Sequence, residues 1–323
     1  MDNINYKKGT MSDSEEIKEL QQTLKEDPSN FQARRHLAVL LLDSGFNEEA
    51  LKQFLYLIGI FPTDASLYYN LGIVYEKIKK LDYAEQAYLK AIEISPNETD
   101  FYYNLGLVYI DKQDYDKAIE AFNRVIETDE DDANSYFNLG LCYTKKNDTD
   151  NAIIFLKKAI ELNEMDIFAH FYLGNHYKKL NQIDLAINEY NKVIRYCPDY
   201  SWAYFNLGSI NFEQGDLDLA MQNLEKTLEL NPRDIDAYKI YSKILIKLDK
   251  IDEAQHLIEN AIRENQYEAD LYYVLAQIYK QQGNLSGYEK GLKIALKNYK
   301  TLSFSPKTVK QELDKFSTKE EEE

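Results

Sequence analysis

Glycine and proline are both scarce in this chain: twelve and six residues among 323, with no run of either. That excludes a collagenous or linker-rich protein, and the sequence reads as one continuous body. Cysteine is scarcer still. Cys142 and Cys197 are too few for a disulfide framework and fit a reducing, cytoplasmic compartment, both thiols serving as small buried apolar groups. Long hydrophobic runs are missing too: the longest, Phe54–Phe61, falls far short of a bilayer. The N-terminal stretch has no apolar core between a basic start and a small-residue cleavage site, so no secretory signal is read there. Positive charge is outweighed, with 38 Lys and Arg against 55 Asp and Glu, a net of −17. Nucleic acid and anionic membranes are poor partners for such a surface, because phosphates must be met by concentrated Lys and Arg.

What the chain has in abundance is repetition. Tyr68–Gly72 and Tyr102–Gly106 both read YYNLG, and Tyr136–Gly140 and Tyr204–Gly208 both read YFNLG, in steps of 34 residues or twice that. The intervening copy is His170–Gly174, HFYLG. Counting from Phe31 as position 1, position 7 is Leu37, Leu71, Leu105, Leu139, Leu173, Leu207, Tyr241 and Leu275. Position 8 is always small: Ala38, Gly72, Gly106, Gly140, Gly174, Gly208, Ser242, Ala276. Position 20 is alanine from Ala50 to Ala254 and only then Tyr288. A fixed period of this length decides the fold before any other signal.

Within a copy, apolar residues at 4, 7, 8 and 11 and again at 20, 24 and 27 give helical spacing twice. Turn residues such as Gln214-Gly215-Asp216 separate the two stretches. Each copy is thus a pair of antiparallel helices of about 13 residues, whose small residues at 8 and 20 let the backbones approach. One pair cannot bury its apolar stripe, so neighbours must stack into a solenoid. Ser14–Glu26 falls in register with a second helix and caps the first copy. Ser305-Pro306 opens a closing helix to about Phe316, covering the last copy with Val309, Leu313 and Phe316. The final copy departs most, since Gly287, Tyr288 and Gly291 occupy the start of its second helix.

This pattern resembles the tetratricopeptide repeat, carried for example by Tyr68, Leu71, Gly72, Tyr75, Ala84, Tyr88, Ala91 and Pro96. The fold so implied is all-α: a right-handed α-solenoid of eight helix-turn-helix repeats with capping helices at both ends. The repeats span 31–64, 65–98, 99–132, 133–166, 167–200, 201–234, 235–268 and 269–302. An N-terminal tail and capping helix fill 1–30, and a C-terminal capping helix and acidic tail fill 303–323.

In that family the first helix of each pair lines a concave groove through positions 2, 5, 6, 9, 12 and 13. Position 6 here carries Asn70, Asn104, Asn138 and Asn206, with Tyr172 breaking the row. Position 5 carries Tyr69, Tyr103, Phe137, Phe171 and Phe205, while Asn175 stands at position 9 and Trp202, the single tryptophan, at position 2. The amides resemble the asparagine ladder in the tetratricopeptide superhelix of O-linked N-acetylglucosamine transferase, which implies that they hold a peptide by its main chain. An amide offers both a donor and an acceptor, which suits that task. The competing reading has the amides bonding the neighbouring repeat and the rings packing on the adjoining helix.

Lys178, Lys179, Lys239, Lys243 and Lys247 make the C-terminal half of the groove mildly basic and suit a ligand with a few acidic residues. The two-carboxylate clamp of chaperone-binding family members is missing: its frame reads Phe171, Asn175, Asn206, Asp236, Ile240. The four histidines assemble no metal site with Cys or carboxylates, and neither a phosphate-cradling glycine loop nor a serine elbow is present. The reading is a non-enzymatic cytoplasmic adaptor without metal or cofactor, binding an extended peptide or helix of a protein partner. The alternatives are an assembly or self-associating scaffold that uses its outer face or caps, and a regulatory subunit of a separate enzyme.

Overall fold

The computed structural model describes the backbone of residues 12–322 and the side chains of 12–316. The tail at 1–11 and the acidic side chains at 320–323 therefore lie outside the described residues. The described chain is all-helical, without strands. The opening helix α1 is Asp13–Glu26. Pairs then follow as α2 Phe31–Asp43 and α3 Asn47–Ile60, α4 Ala65–Lys77 and α5 Leu81–Ile94, α6 Thr99–Asp111 and α7 Tyr115–Thr128, α8 Ala133–Lys145 and α9 Thr149–Leu162. The second half holds α10 Ile167–Lys179 and α11 Ile183–Tyr196, α12 Ser201–Gln214 and α13 Leu217–Leu230, α14 Ile235–Lys247 and α15 Ile251–Glu264, α16 Ala269–Gln281 and α17 Leu285–Lys297. A short 3-10 turn at Tyr299–Thr301 leads to α18, Pro306–Glu322.

The chain divides into two compact units, 1–169 and 170–323. No linker marks the division, which falls within α10. Inside each unit, consecutive helix pairs pack as a tetratricopeptide solenoid does.

One turn geometry recurs in every repeat. Position 15 has a left-handed backbone in all eight copies: Gly45, Lys79, Gln113, Asn147, Asn181, Gly215, Asp249 and Gly283. The next amide bonds five residues back, as Lys80 N–H to Tyr75 O (2.8 Å) and Asp114 N–H to Tyr109 O (2.8 Å). This closure satisfies carbonyls left open at the helix end and reverses the chain. The following helix is often capped from position 16, as by Asp114 and Asp148.

Between the paired helices, position 8 receives the side chain of position 24. A Cβ on Gly106 would lie 2.7 Å from the Phe122 ring, and one on Gly174 would lie 2.8 Å from that of Tyr190. The glycines are sockets for large side chains, as well as places where backbones come close. Repeat 8 solves the same problem differently. Its Tyr288 is buried, and glycine moves to positions 19 and 23, where Gly287 meets Tyr279 and Gly291 meets Ala276. Val309, Leu313 and Phe316 of α18 close over this core, and the backbone of α18 runs on to Glu322, beyond the expected end near Phe316.

Two departures concern polar groups. Cys142 is buried, and burial pushes its thiol up to about 12. Cys197 is only half-buried and donates to Asp199 Oδ1 at 2.9 Å, so it is not the small core residue expected. His170 and Glu189 are both buried and meet at 2.6 Å, with Lys192 3.1 Å from the same carboxylate. Burial alone would raise Glu189; the bonds from His170 and Lys192 outweigh it and hold the carboxyl below its usual range.

Candidate functional site

The first unit carries three of the four amides. Nδ2 of Asn70 donates to the Ser66 carbonyl at 2.8 Å, one turn back on α4. Asn104 does the same to Asp100 O (3.0 Å) and donates also to the Tyr69 hydroxyl (2.9 Å). The buried Asn138 donates to the Tyr103 hydroxyl at 3.3 Å. Since a carbonyl can only accept, the bonds from Asn70 and Asn104 fix which end of each amide faces the helix. Oδ1 of Asn70 and of Asn104 is left without a donor among the described residues. The tyrosine at position 5 of one repeat thus ties to the amide at position 6 of the next. Such a link needs a hydroxyl, which Phe137 does not have.

The rings at position 5 are shared between core and surface. Tyr69 lies 5.0 Å from Phe101 and 5.9 Å from Tyr88, and Tyr103 lies 5.7 Å from Phe122. All of Tyr69, Tyr103 and Phe137 are half-buried. Burial raises both tyrosines above their ordinary range, so the phenols stay neutral near neutral pH. The strip therefore offers amide oxygens beside neutral, half-accessible rings.

The second unit concentrates its candidates in one place. Phe171, Asn175, Tyr200, Trp202, Phe205 and Asn206 line a cleft of about 400 Å³ formed by α10, α12 and the loop before α12. Phe171 packs 5.2 Å from Tyr200, and Trp202 lies 6.4 Å from Phe205. Asn206 Nδ2 donates to the Trp202 carbonyl at 2.9 Å, whereas Asn175 Oδ1 accepts from the Tyr190 hydroxyl at 2.7 Å. Half-buried Tyr172 touches Phe171 (6.0 Å) but does not line the cleft.

Tyr200 escaped the sequence reading although a signal exists. At the same place before the next helix pair, the other junctions carry Asp64, Glu98, Asp132, Asp166, Asp234 and Glu268. A tyrosine there removes a negative charge and supplies an aromatic wall.

The expectation of a basic C-terminal half is reduced by pairing. Lys239 contacts Asp236 (3.0 Å), the buried Asp270 (2.9 Å) and the Ser303 hydroxyl (3.2 Å), and Lys178 donates to Ser209 Oγ at 3.2 Å. A larger hollow of about 800 Å³ lies among the junction loops near 60–66 and 95–101. Its polar groups are partly spent, because Asp64 caps Ser66 and pairs with Arg35 at 2.6 Å. Among the described residues no group of three His, Cys, Asp or Glu is placed to hold a metal ion, and no helix is long and apolar enough to cross a membrane.

The class defined by these features is a helical-repeat protein with amides and rings on the first helix of each pair. Comparison identifies the repeat. Models described as tetratricopeptide repeat match residues 10–65, 65–98, 98–165 and 211–278, and one described as TPR repeat matches 174–215. The chain is built of tetratricopeptide repeats. Among solved structures it is similar to YrrB, described as a tetratricopeptide protein with an unusual peptide-binding site. That similarity has 26% identity over 57% of this chain and 95% of YrrB, with a TM-score of 0.50. The fold is shared with PilF of Pseudomonas aeruginosa (16% identity, 67% and 97% of the chains, TM-score 0.57). It is shared also with the Cut9–Hcn1 hetero-tetramer of the APC/C (17% identity, 81% and 52%, TM-score 0.54). No curated protein matches the chain.

Proposed function

We propose that the chain is a non-enzymatic, cytoplasmic adaptor that holds an extended segment of a protein partner along the first helices of its repeats. The observation that carries this reading is the pair of amides, Asn70 and Asn104, oriented by helix carbonyls so that their oxygens lack an internal donor, beside half-accessible aromatic rings. Main-chain N–H groups of an extended peptide satisfy such acceptors regardless of side chain, and aromatic rings supply apolar contact at modest entropic cost. The similarity to YrrB, with its peptide-binding site, supports a peptide as the ligand class. An array made of tetratricopeptide repeats ordinarily serves binding, not catalysis.

The test is affinity capture from cell extract with the wild-type chain and with Asn70→Ala/Asn104→Ala/Asn138→Ala. The variant is expected to keep its circular-dichroism spectrum and to lose partners held by the wild type. A folded variant that retains every partner would remove the strip from consideration.

A further inference from the structure

Resting on that reading, we propose that the cleft of the second unit anchors one uncharged, apolar residue of the peptide. In this proposal Asn175 and Asn206 hold that residue's own backbone carbonyl and N–H. The two amides are turned in opposite senses. Asn206 spends its nitrogen on the Trp202 carbonyl, so its Oδ1 remains as an acceptor. Asn175 spends its oxygen on the Tyr190 hydroxyl, so its Nδ2 remains as a donor. One free donor and one free acceptor in a single cleft match the C=O and N–H of an amino-acid residue in an extended chain.

The walls decide what side chain that residue carries. Four of the six lining residues are aromatic and none is charged, the junction acid of the other repeats being replaced by Tyr200. A buried carboxylate would find no cation in the walls, and a charge left unpaired on desolvation opposes binding. An ammonium could stack on the rings, but no carboxylate among the six lining residues offsets the water it would lose. An aliphatic side chain meets neither obstacle. The volume of about 400 Å³ accommodates such a side chain with its flanking backbone.

The cleft contains its own reporter, since Trp202 is the only tryptophan and half of its surface is exposed (53%). Four acetylated, amidated pentapeptides are titrated, each with Leu, Gly, Lys or Asp between flanking pairs of alanine, while tryptophan emission is followed. The leucine peptide is expected to shift emission to shorter wavelength and saturate, and the other three to need at least about tenfold higher concentration. Asn175→Ala and Asn206→Ala should each weaken the leucine peptide about fivefold, the usual effect of one neutral hydrogen bond.

A purely structural role of Asn206 is separated by a leucine peptide whose central N–H is replaced by an ester oxygen. It should bind the wild type more weakly than the amide, and bind Asn206→Ala no differently from the amide. The proposal is overturned if no peptide moves the emission, if the lysine or aspartate peptide matches leucine, or if the ester penalty survives in Asn206→Ala. Its failure is distinct from failure of the adaptor reading, which the Asn70/Asn104/Asn138 variant tests in the other unit by partner capture. Lost capture with silent peptides removes the cleft alone, and bound peptides with unchanged capture remove the strip alone.

Discussion

At the scale of single residues, the chain separates glycines that must be glycine from glycines that need not be. Gly106 faces the Phe122 ring so closely that a methyl group would lie 2.7 Å from it, whereas a Cβ on Gly59 of α3 meets nothing within 4 Å. Gly106→Ala is therefore expected to cost about 1–3 kcal/mol through overpacking. Gly59→Ala should instead stabilise by about 0.5–1 kcal/mol, because alanine loses less freedom in a helix interior. Urea unfolding of both variants gives the comparison. Adding Phe122→Leu to Gly106→Ala should recover part of the loss, making the pair less costly than the sum of its members. Repeat 8 already carries alanine at position 8 and leucine at position 24, Ala276 and Leu292, within one buried core. Equal gains at Gly59 and Gly106 would mean that helix propensity, and not the ring, sets the effect. The smallness of position 8 is plain from spacing. Its reason is not, because spacing along one helix does not say which side chain of the other enters the gap.

At the scale of the helix pair, the two helices and the turn between them are legible from periodicity alone, since apolar stripes and turn residues agree in every copy. The left-handed residue within the turn is less visible. Position 15 is glycine in Gly45, Gly215 and Gly283 but is elsewhere Lys79, Gln113, Asn147, Asn181 and Asp249. A side chain with positive φ is strained by contact of Cβ with the backbone, a cost glycine avoids. Gln113→Gly should raise stability by about 0.5–1 kcal/mol, and Gly215→Gln should lower it by a similar amount, read as opposite shifts of thermal midpoint. Shifts of the same sign would show that the turn is held by something other than this one dihedral. A second hidden pairing joins positions 4 and 23. His170 with Glu189 repeats, at the same separation, the bond of Arg34 to Gln53 at 2.7 Å. Both copies place an unusual residue at 4 where tyrosine is the rule, so only the joint departure of two positions signals the contact.

At the scale of the molecule, repetition makes the order of elements readable but hides where the chain divides. Composition does not change at 169–170, and α10 reads as an ordinary first helix. The aromatic cleft was largely legible, because Phe171, Asn175, Trp202, Phe205 and Asn206 all fall on groove positions. Only Tyr200 lies outside the helix and outside the pattern. An array whose helices touch only near neighbours distributes stability along its length, so damage should stay close to where it is made. The end of the second unit tests this. Val309 is fully buried against Ala276, Tyr288 and Leu292, and the same helix sends Glu312 to the hydroxyls of Tyr273 (2.9 Å) and Tyr288 (3.2 Å). An aspartate at 309 would be a buried polar group close to Glu312, costly whether ionised or protonated, and α18 relieves that cost by leaving repeat 8. Val309→Asp is accordingly expected to speed amide hydrogen exchange in α16, α17 and α18 by at least about tenfold. The amides of α4 to α7 should exchange as in the wild type. Acceleration spread evenly over all helices would mean that the chain unfolds as one cooperative body, and that the local account of its stability is wrong.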